Sequence, residues 1–488
     1  MNHYLRTCKC HWTGSENTHW GHTLDRRSFA PPGTPLQFAP DTPVTGTGLR
    51  LELHLDLEQE RAWGSTTHQL KVHATALTTL RFDAVGLDIQ DVKLNGRRVE
   101  FENTGEAVVL ILPKPLKQGD VAEVRLTHSV TRPKAGLYFT NPDAAYPRRF
   151  QTAWTQGQDE DSRYYFPCLD SPQFKQPTET LVYVPTGLFA LANGELVEHK
   201  VAAVAGEDLW HYRLDQPYST YLISIVVGQF VEHMEQMGGT EVRWAVQPGR
   251  EKEGHNAFGN TPAMIRFFSD YFGVPYPHKR YTQIAVPDFV FGGMENFTAT
   301  TQTDLTLHND RAHLDFSSDD LVSHELAHSW FGNLVTARTW SHAWLHESFA
   351  TYSESLWTRE SKGQEEYDYQ VLCDAEAYFH EDAQYRRPIV TNRWEAPIDL
   401  FDAHLYPGGA VRLRNLHALL GEDAFRQVLR TYLERHRHGL VETVDLARVV
   451  REVTGHNHDG WFDQWILSAG YPRLEIKYAW NEREKLAE

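Results

Sequence analysis

Cysteine is scarce in this chain, with four in 488 residues. That is too few for a disulfide framework and points to a reducing, cytoplasmic setting. Long hydrophobic runs are missing too. No stretch of about 18 uninterrupted apolar residues occurs, so no helix is expected to span a membrane. The opening Met1-Asn2-His3-Tyr4-Leu5-Arg6-Thr7 runs into polar residues without the apolar segment of a secretory signal. Positive charge is in deficit: 47 Lys and Arg face 65 Asp and Glu, a formal net charge of −18. Such a balance argues against nucleic acid and against an anionic membrane surface as partners. There is no internal repeat and no low-complexity run. Apolar material is plentiful, at 41% hydrophobic and 12% aromatic, enough to fill the two or three cores that a chain of this length requires.

The first half reads as strands. Leu49, Leu51, Leu53, Leu55 and Leu57 alternate with Arg50, Glu52, His54 and Asp56, a period of two that predicts a half-exposed strand. Val108–Leu112, Glu123–Leu126, Thr180–Val184 and Tyr221–Val227 continue the series, with Pro, Gly, Asn and Asp punctuating them. The second half switches to helical spacing, from Asn260 to Phe272, through residues 319–331, and again over 410–436 and 443–453. Gln247-Pro248-Gly249-Arg250 and the charged Glu251-Lys252-Glu253-Gly254 mark the expected boundary. The reading is an all-β N-terminal domain over 47–247 and an α+β domain over 248–472. An extension (1–46) precedes them and a tail (473–488) follows. Cys8-Lys9-Cys10-His11, near His19 and His22, is spaced too tightly for a zinc knuckle and reads as part of a polar tail or packing arm.

Chemistry concentrates at His324-Glu325-Leu326-Ala327-His328, with a further carboxylate, Glu347, nineteen residues after the second histidine. On a helix, residues four apart share a face, so His324 and His328 converge on one ion. Glu325 lies beside them, placed to take a proton from water without itself being a ligand. Glu347 supplies a third ligand, and two histidines with one carboxylate leave a fourth tetrahedral position open. An open position marks a hydrolytic zinc site rather than a structural one. By chance alone the pentad is expected about 0.2 times in a chain of this composition, and about 0.02 times with the spaced acid. Ser317-Ser318-Asp319-Asp320 offers a cap and first-turn acids for this helix, and Gly332-Asn333 offers its stop.

About thirty residues upstream stands Gly292-Gly293-Met294-Glu295-Asn296, after the strand-like Gln283-Ile284-Ala285-Val286. Two glycines let a backbone approach a ligand closely. Glu295 brings a carboxylate to the same cleft. An enzyme that removes one residue at a time needs an anionic anchor for the substrate's free amino group. That amine has a pKa of about 7.7–8.0 and is largely a cation at neutral pH.

Taken in order, Gly-Gly-Met-Glu-Asn, His-Glu-Leu-Ala-His and Trp344-Leu345-His346-Glu347-Ser348-Phe349-Ala350 resemble the zinc aminopeptidase N family, which also includes leukotriene hydrolase. The resemblance covers roughly residues 45–472. It implies a saddle-like β domain and a thermolysin-like catalytic domain. It also implies one zinc held by His324, His328 and Glu347, with Glu325 as general base and peptides with a free N-terminus as substrates. Glu295 would recognise the amine, with the backbone of Gly292, Gly293 and Met294 aligning the peptide. Thr155-Gln156-Gly157-Gln158, followed by Arg163 and Phe166-Pro167-Cys168-Leu169-Asp170, is similar to the family's first-domain segment, in which the position of Gln158 helps hold the amine. A neutral Gln158 favours a broad neutral or hydrophobic first residue. The family's oxyanion tyrosine falls on Tyr406 in Asp402-Ala403-His404-Leu405-Tyr406-Pro407-Gly408-Gly409, where Gly408 replaces a lysine. Gly293 stands where alanine is usual, and His346 and Ser348 stand where Asn and Gly are common. His346 is a rival ligand, but the resemblance to the family, together with spacing, favours Glu347. Glu354, seven residues after Glu347, shares its helix face and is a candidate hydrogen-bond partner for a ligand histidine. Relatives usually continue past this length into further domains that roof the site, so a more open cleft is expected here.

Two other readings stay open at this point. A lipid-epoxide hydrolase resembling leukotriene hydrolase would use the same zinc and carboxylates, but needs a long apolar tunnel. A non-catalytic scaffold of the same fold would be expected to lose ligands or base.

Overall fold

The computed structural model describes residues 27–475 and 477–487. Cys8, Cys10, His11, His19 and His22 lie outside the described residues. The alternating leucines do form a strand, Val44–Asp56, and Leu49, Leu51, Leu53 and Leu55 are all buried while Arg50 is exposed. It lies inside an eight-stranded sheet, parallel to Lys175–Pro185 and antiparallel to Arg61–Val72. One face of each strand feeds the core, which is why period-two patterning survives in the sequence.

A four-stranded sheet runs in the order Phe189–Ala192, Ile225–Gly228, Thr152–Thr155, Leu137–Thr140. Thr152–Thr155 is buried throughout and delivers the chain to Gln156-Gly157-Gln158. The strand expected over Tyr221–Val227 is shorter than that. Thr220–Leu222 forms a 3-10 turn, and the strand begins at Ile225. The side chain of Asn193 takes the place of a strand partner there. Its Nδ2 donates to Leu222 O at 2.9 Å, and its Oδ1 accepts from Ser224 N at 2.7 Å.

A five-stranded sheet joins the two halves of the chain. Its order is Val231–Met237, Thr240–Val246, Arg280–Val286, Ala299–Thr303, Gly293–Met294. The expected boundary at 247–248 falls within the span of this sheet, between Thr240–Val246 and the helix Glu251–Phe258. The charged Glu251-Lys252-Glu253-Gly254 forms the first turn of that helix. Gly293–Met294 is the edge strand, paired antiparallel with Gln302 and Thr301.

Helices follow: α1 (Glu251–Phe258), α2 (Thr261–Phe272), α3 (Asp319–Ala327), α4 (Trp344–Lys362), α5 (Gln364–Gln384), α6 (Gly409–Leu420), α7 (Glu422–Arg435), α8 (Thr443–Thr454) and α9 (Asp459–Trp465). The helical stretch expected over 410–436 is two helices, broken at Gly421, whose φ of 80° suits glycine. Aromatic packing ties α2 and α4 to the turns that follow α3. Phe272 meets Trp330 edge-on at 5.3 Å, and Phe331 stacks on Phe349 at 4.4 Å. No helix among the described residues is long and apolar enough to cross a membrane.

Candidate metal centre and active site

Helix α3 presents His324, its C-terminal cap residue His328 stands one turn further on, and the first turn of α4 brings Glu347 to meet them. The two Nε2 atoms lie 3.1 Å apart. Glu347 Oε2 is 3.4 Å from His324 Nε2 and 3.2 Å from His328 Nε2. All three residues are buried. The far side of each imidazole is already engaged: His324 Nδ1 is 2.8 Å from Glu354 Oε1, and His328 Nδ1 is 2.9 Å from the carbonyl of Phe331. Protons held at Nδ1 by those acceptors leave Nε2 lone pairs facing one another and a carboxylate oxygen. Three buried acceptors that converge in this way need a cation between them, and two nitrogens with one oxygen suit zinc.

The electrostatics of the metal-free protein make the same point. Burial opposes charge on His324, yet its hydrogen bonds to Glu347 and Glu354 outweigh that and raise its pKa to about 10. His328 is likewise opposed by burial, but Glu295 and Glu347 raise it to about 9. For Glu347, burial pushes upward while His328 and His324 hold it well below the usual carboxylate range. Protons on the imidazoles thus stand in for the positive charge of a metal.

The α3 helix differs from expectation at both ends. The hydroxyl of Ser318 donates to Thr306 O at 2.7 Å instead of capping the helix. Regular helix stops at Ala327, and tighter turns carry the chain on to Gly332, where φ is 121°. At the end of those turns the side chain of Asn333 donates to the carbonyl of Glu295 at 2.8 Å, fixing the edge loop to the metal helix.

Glu325 and Glu295 approach the cluster from its other side. Carboxylate atoms of both lie within 4.8 Å of each other and of a ring nitrogen of His328. Glu325 Oε2 and Glu295 Oε1 are buried without a hydrogen-bond partner among the described residues. Burial accordingly raises Glu325 to about 8, against the opposing charge of His324 and His328. Burial also raises Glu295, partly offset by His328. Gly293 is in direct contact with the Glu325 carboxylate: a Cβ there would stand 2.3 Å from Oε1. Gly292 O accepts from Thr303 N at 2.9 Å, and the sulfur of Met294 accepts from Gln156 Nε2 at 3.0 Å. Gln158 reaches the cluster itself, with Nε2 3.5 Å from Glu347 Oε1.

Tyr406 sits in a π-helical turn, His404–Gly408, its ring stacked near His324 with centroids 6.0 Å apart. Several contacts hold this turn. Ser348 Oγ donates to Leu405 O at 2.6 Å, and Asp402 Oδ1 accepts from Leu405 N at 3.0 Å. Asp402 is in turn gripped by the buried guanidinium of Arg387 at 2.5 and 2.8 Å and by the Tyr385 hydroxyl at 2.8 Å. His404 bonds Glu381 at 2.9 Å. Two departures from the family pattern find their packing reason here. A Cβ on Gly409 would stand 1.8 Å from Ser348 Oγ, so the serine is accommodated by glycine opposite. A Cβ on Gly408 would meet the Tyr378 ring at 2.8 Å, which leaves no room for a lysine. His346 turns away from the cluster: its Nε2 accepts from Ala337 N at 2.6 Å, and burial lowers its pKa to about 3.

Sequence reasoning did not single out Arg387, Asp402, Glu381 or His404 as parts of this support. Their partners lie many residues apart, and no local period signals such a network.

Residues 45–222 match the Peptidase M1 N-terminal domain, and residues 256–465 match the Peptidase family M1 domain. A β-rich domain joined to a helical domain with a two-histidine, one-carboxylate cluster is the architecture in hand, and the chain belongs to peptidase family M1. Among its relatives, Aminopeptidase M1-C of Oryza sativa subsp. japonica is 33% identical over 341 residues, 68% of this chain and 38% of that protein. Aminopeptidase M1 of Arabidopsis thaliana is 34% identical over 334 residues, 67% of this chain and 38% of its own length. Leucyl aminopeptidase of Saccharolobus solfataricus is 30% identical over 406 residues, 82% and 50% respectively. The matched stretch thus spans half or less of the length of these relatives.

Proposed function

We propose that the chain is a zinc-dependent aminopeptidase that removes single N-terminal residues from peptides, with a broad neutral or hydrophobic preference. The observation that carries this is Glu295, which is buried with one carboxylate oxygen unpaired among the described residues and whose carboxylate joins Glu325 and His328 in a cluster within 4.8 Å. A buried carboxylate needs a cation, and a substrate's α-ammonium is one. An anchor this close to the reacting centre admits one residue between amine and scissile bond.

In this reading His324, His328 and Glu347 hold one zinc. Zinc bound there supplies Lewis-acid polarisation of the scissile carbonyl and acidifies water towards neutral pH. Glu325, buried beside the cluster with one carboxylate oxygen unpaired, takes the proton of the attacking water and passes it to the leaving amine. Tyr406 donates a hydrogen bond to the carbonyl oxygen as it gains charge. Glu295 and Gln158 hold the amine. The edge strand Gly293–Met294 aligns the peptide backbone. Gln158 is neutral, which supports a first residue without charge.

Leucine p-nitroanilide, compared with its amino-acetylated form with and without a chelator, tests the proposal. Cleavage of only the free-amine substrate, lost on chelation and restored by zinc, is the expected result. Equal cleavage of both would sink amine recognition, and cleavage of neither would sink the aminopeptidase reading.

A further inference from the structure

Lys175 opens the strand Lys175–Pro185 of the eight-stranded sheet and reaches out of that sheet to the turn that follows α3. Its Nζ donates to Thr336 Oγ1 at 2.8 Å and to the carbonyl of Asn333 at 3.3 Å. No carboxylate pairs with it among the described residues, and burial without such a counter-charge lowers its pKa to about 7. An ammonium set among neutral oxygens is costly to keep. Both of its bonds go to one turn, so that turn is where its influence falls.

Two lines run from this turn to the site. One is the carbonyl of Phe331, 2.9 Å from His328 Nδ1. Phe331 is held independently of Lys175, stacked on Phe349 at 4.4 Å and edge-on to Phe272 at 5.1 Å. The other is the side chain of Asn333, whose Nδ2 donates to Glu295 O at 2.8 Å. Here Lys175 matters directly, because it grips the carbonyl of the same residue. It also grips Thr336, whose hydroxyl donates back to Gly332 O at 2.6 Å and closes the turn. Glu295 has few other supports. It follows a two-residue edge strand, Gly293–Met294, that pairs on one side only. Its Oε1 has no partner among the described residues.

Resting on the aminopeptidase reading, we propose that Lys175 is a positioning residue for the substrate amine: through Asn333 it sets where Glu295 stands, while the metal ligands are held by other contacts.

The test uses zinc-loaded protein, leucine p-nitroanilide as reporter and two inhibitors of different reach. Butylamine offers Glu295 an ammonium and nothing to the metal, whereas acetohydroxamate offers oxygens to the metal and no amine. In Lys175→Met the inhibition constant of butylamine should rise about 10-fold, the scale of a site group displaced from a distance. That of acetohydroxamate, and the zinc content, should stay at the parent values. Asn333→Ala should weaken butylamine likewise, and Lys175→Met added to it should bring little further change, since both act along one line. Should Lys175→Met fail to fold, Thr336→Val, which removes one acceptor of the ammonium and keeps the side-chain shape, carries the same comparison. Equal weakening of both inhibitors, additive effects in the double variant, or a butylamine constant unmoved by the variants would overturn the positioning role and leave the aminopeptidase reading standing. No cleavage of leucine p-nitroanilide by the parent protein, or cleavage that butylamine does not slow, would overturn both.

Discussion

Glu354 holds His324 from behind, its Oε1 2.8 Å from Nδ1. The supporting acid and the ligand Glu347 sit two turns apart on one helix, α4, so a single rigid element sets both the carboxylate and the ring it faces. Glu354→Ala should weaken zinc affinity by about 10- to 100-fold. Glu354→Gln, which keeps an acceptor, should recover most of it. Chelator competition reads the difference, and equal affinity in Glu354→Ala would show that the contact does not orient the ring.

Removing the proposed base should separate chemistry from metal binding. Glu325→Gln is expected to lower kcat by about 10²- to 10⁴-fold while zinc content stays near one per chain. Turnover close to the parent protein would refute the role of Glu325.

Glu295→Ala should lower kcat/KM on free-amine substrates and leave any residual cleavage of amino-acetylated peptides where it was. Losing one charged hydrogen-bond partner is worth about 1.5–3 kcal/mol, or roughly 10- to 100-fold. An equal loss on blocked and free substrates would count against an amine anchor.

Protons compete with the metal. His324 and His328 are raised to about 10 and about 9 without zinc, so both carry protons at neutral pH and must lose them on binding. Zinc affinity should therefore climb steadily from pH 6 to 9, with proton release measurable by calorimetry in buffers of different ionisation enthalpy. The stability of the metal-free protein runs the opposite way. A histidine raised above its unfolded value of about 6.5 contributes stability that is fully present below that pH. That contribution is lost as pH rises through about 9 and 10. Thermal melts of chelated protein across this range should fall, and melts of zinc-loaded protein should fall less.

Arg387 and Asp402 offer a route to Tyr406 that leaves the metal alone. Arg387→Met strands a buried carboxylate and should cost about 3–5 kcal/mol of stability in denaturant titration. The less drastic Tyr406→Phe should lower kcat by about 10²- to 10³-fold with little change in KM. A KM effect without a kcat effect in Tyr406→Phe would reassign this residue to substrate binding.

Much of the architecture was legible because it rests on short periods. Alternation marked Val44–Asp56, and i to i+4 spacing put His324 and His328 on one face. The seven-residue step from Glu347 to Glu354 pointed the second acid at a ligand ring. Where the sequence misled, a distant group had replaced a local one. Asn193 satisfies the backbone at Leu222 and Ser224, so a run of apolar residues that reads as one strand turns instead. Ser318 spends its hydroxyl on Thr306 rather than on its own helix. The Arg387–Asp402 pair closes around a turn through fifteen residues of separation, a distance at which no periodicity speaks. The closeness of the site residues followed from spacing and family pattern, while their roles await the variants above.

The five-stranded sheet crossing residue 247 has a practical consequence for dissecting the molecule. An excised second half beginning at residue 248 would lose the hairpin Val231–Val246 and bare the edge of Arg280–Val286, a strand buried at all seven positions. A bared strand edge, with its backbone N–H and C=O groups unpaired, recruits other chains. Such a piece would be prone to precipitation whatever the integrity of its metal cluster, and cuts intended to isolate the chemistry belong upstream of residue 231.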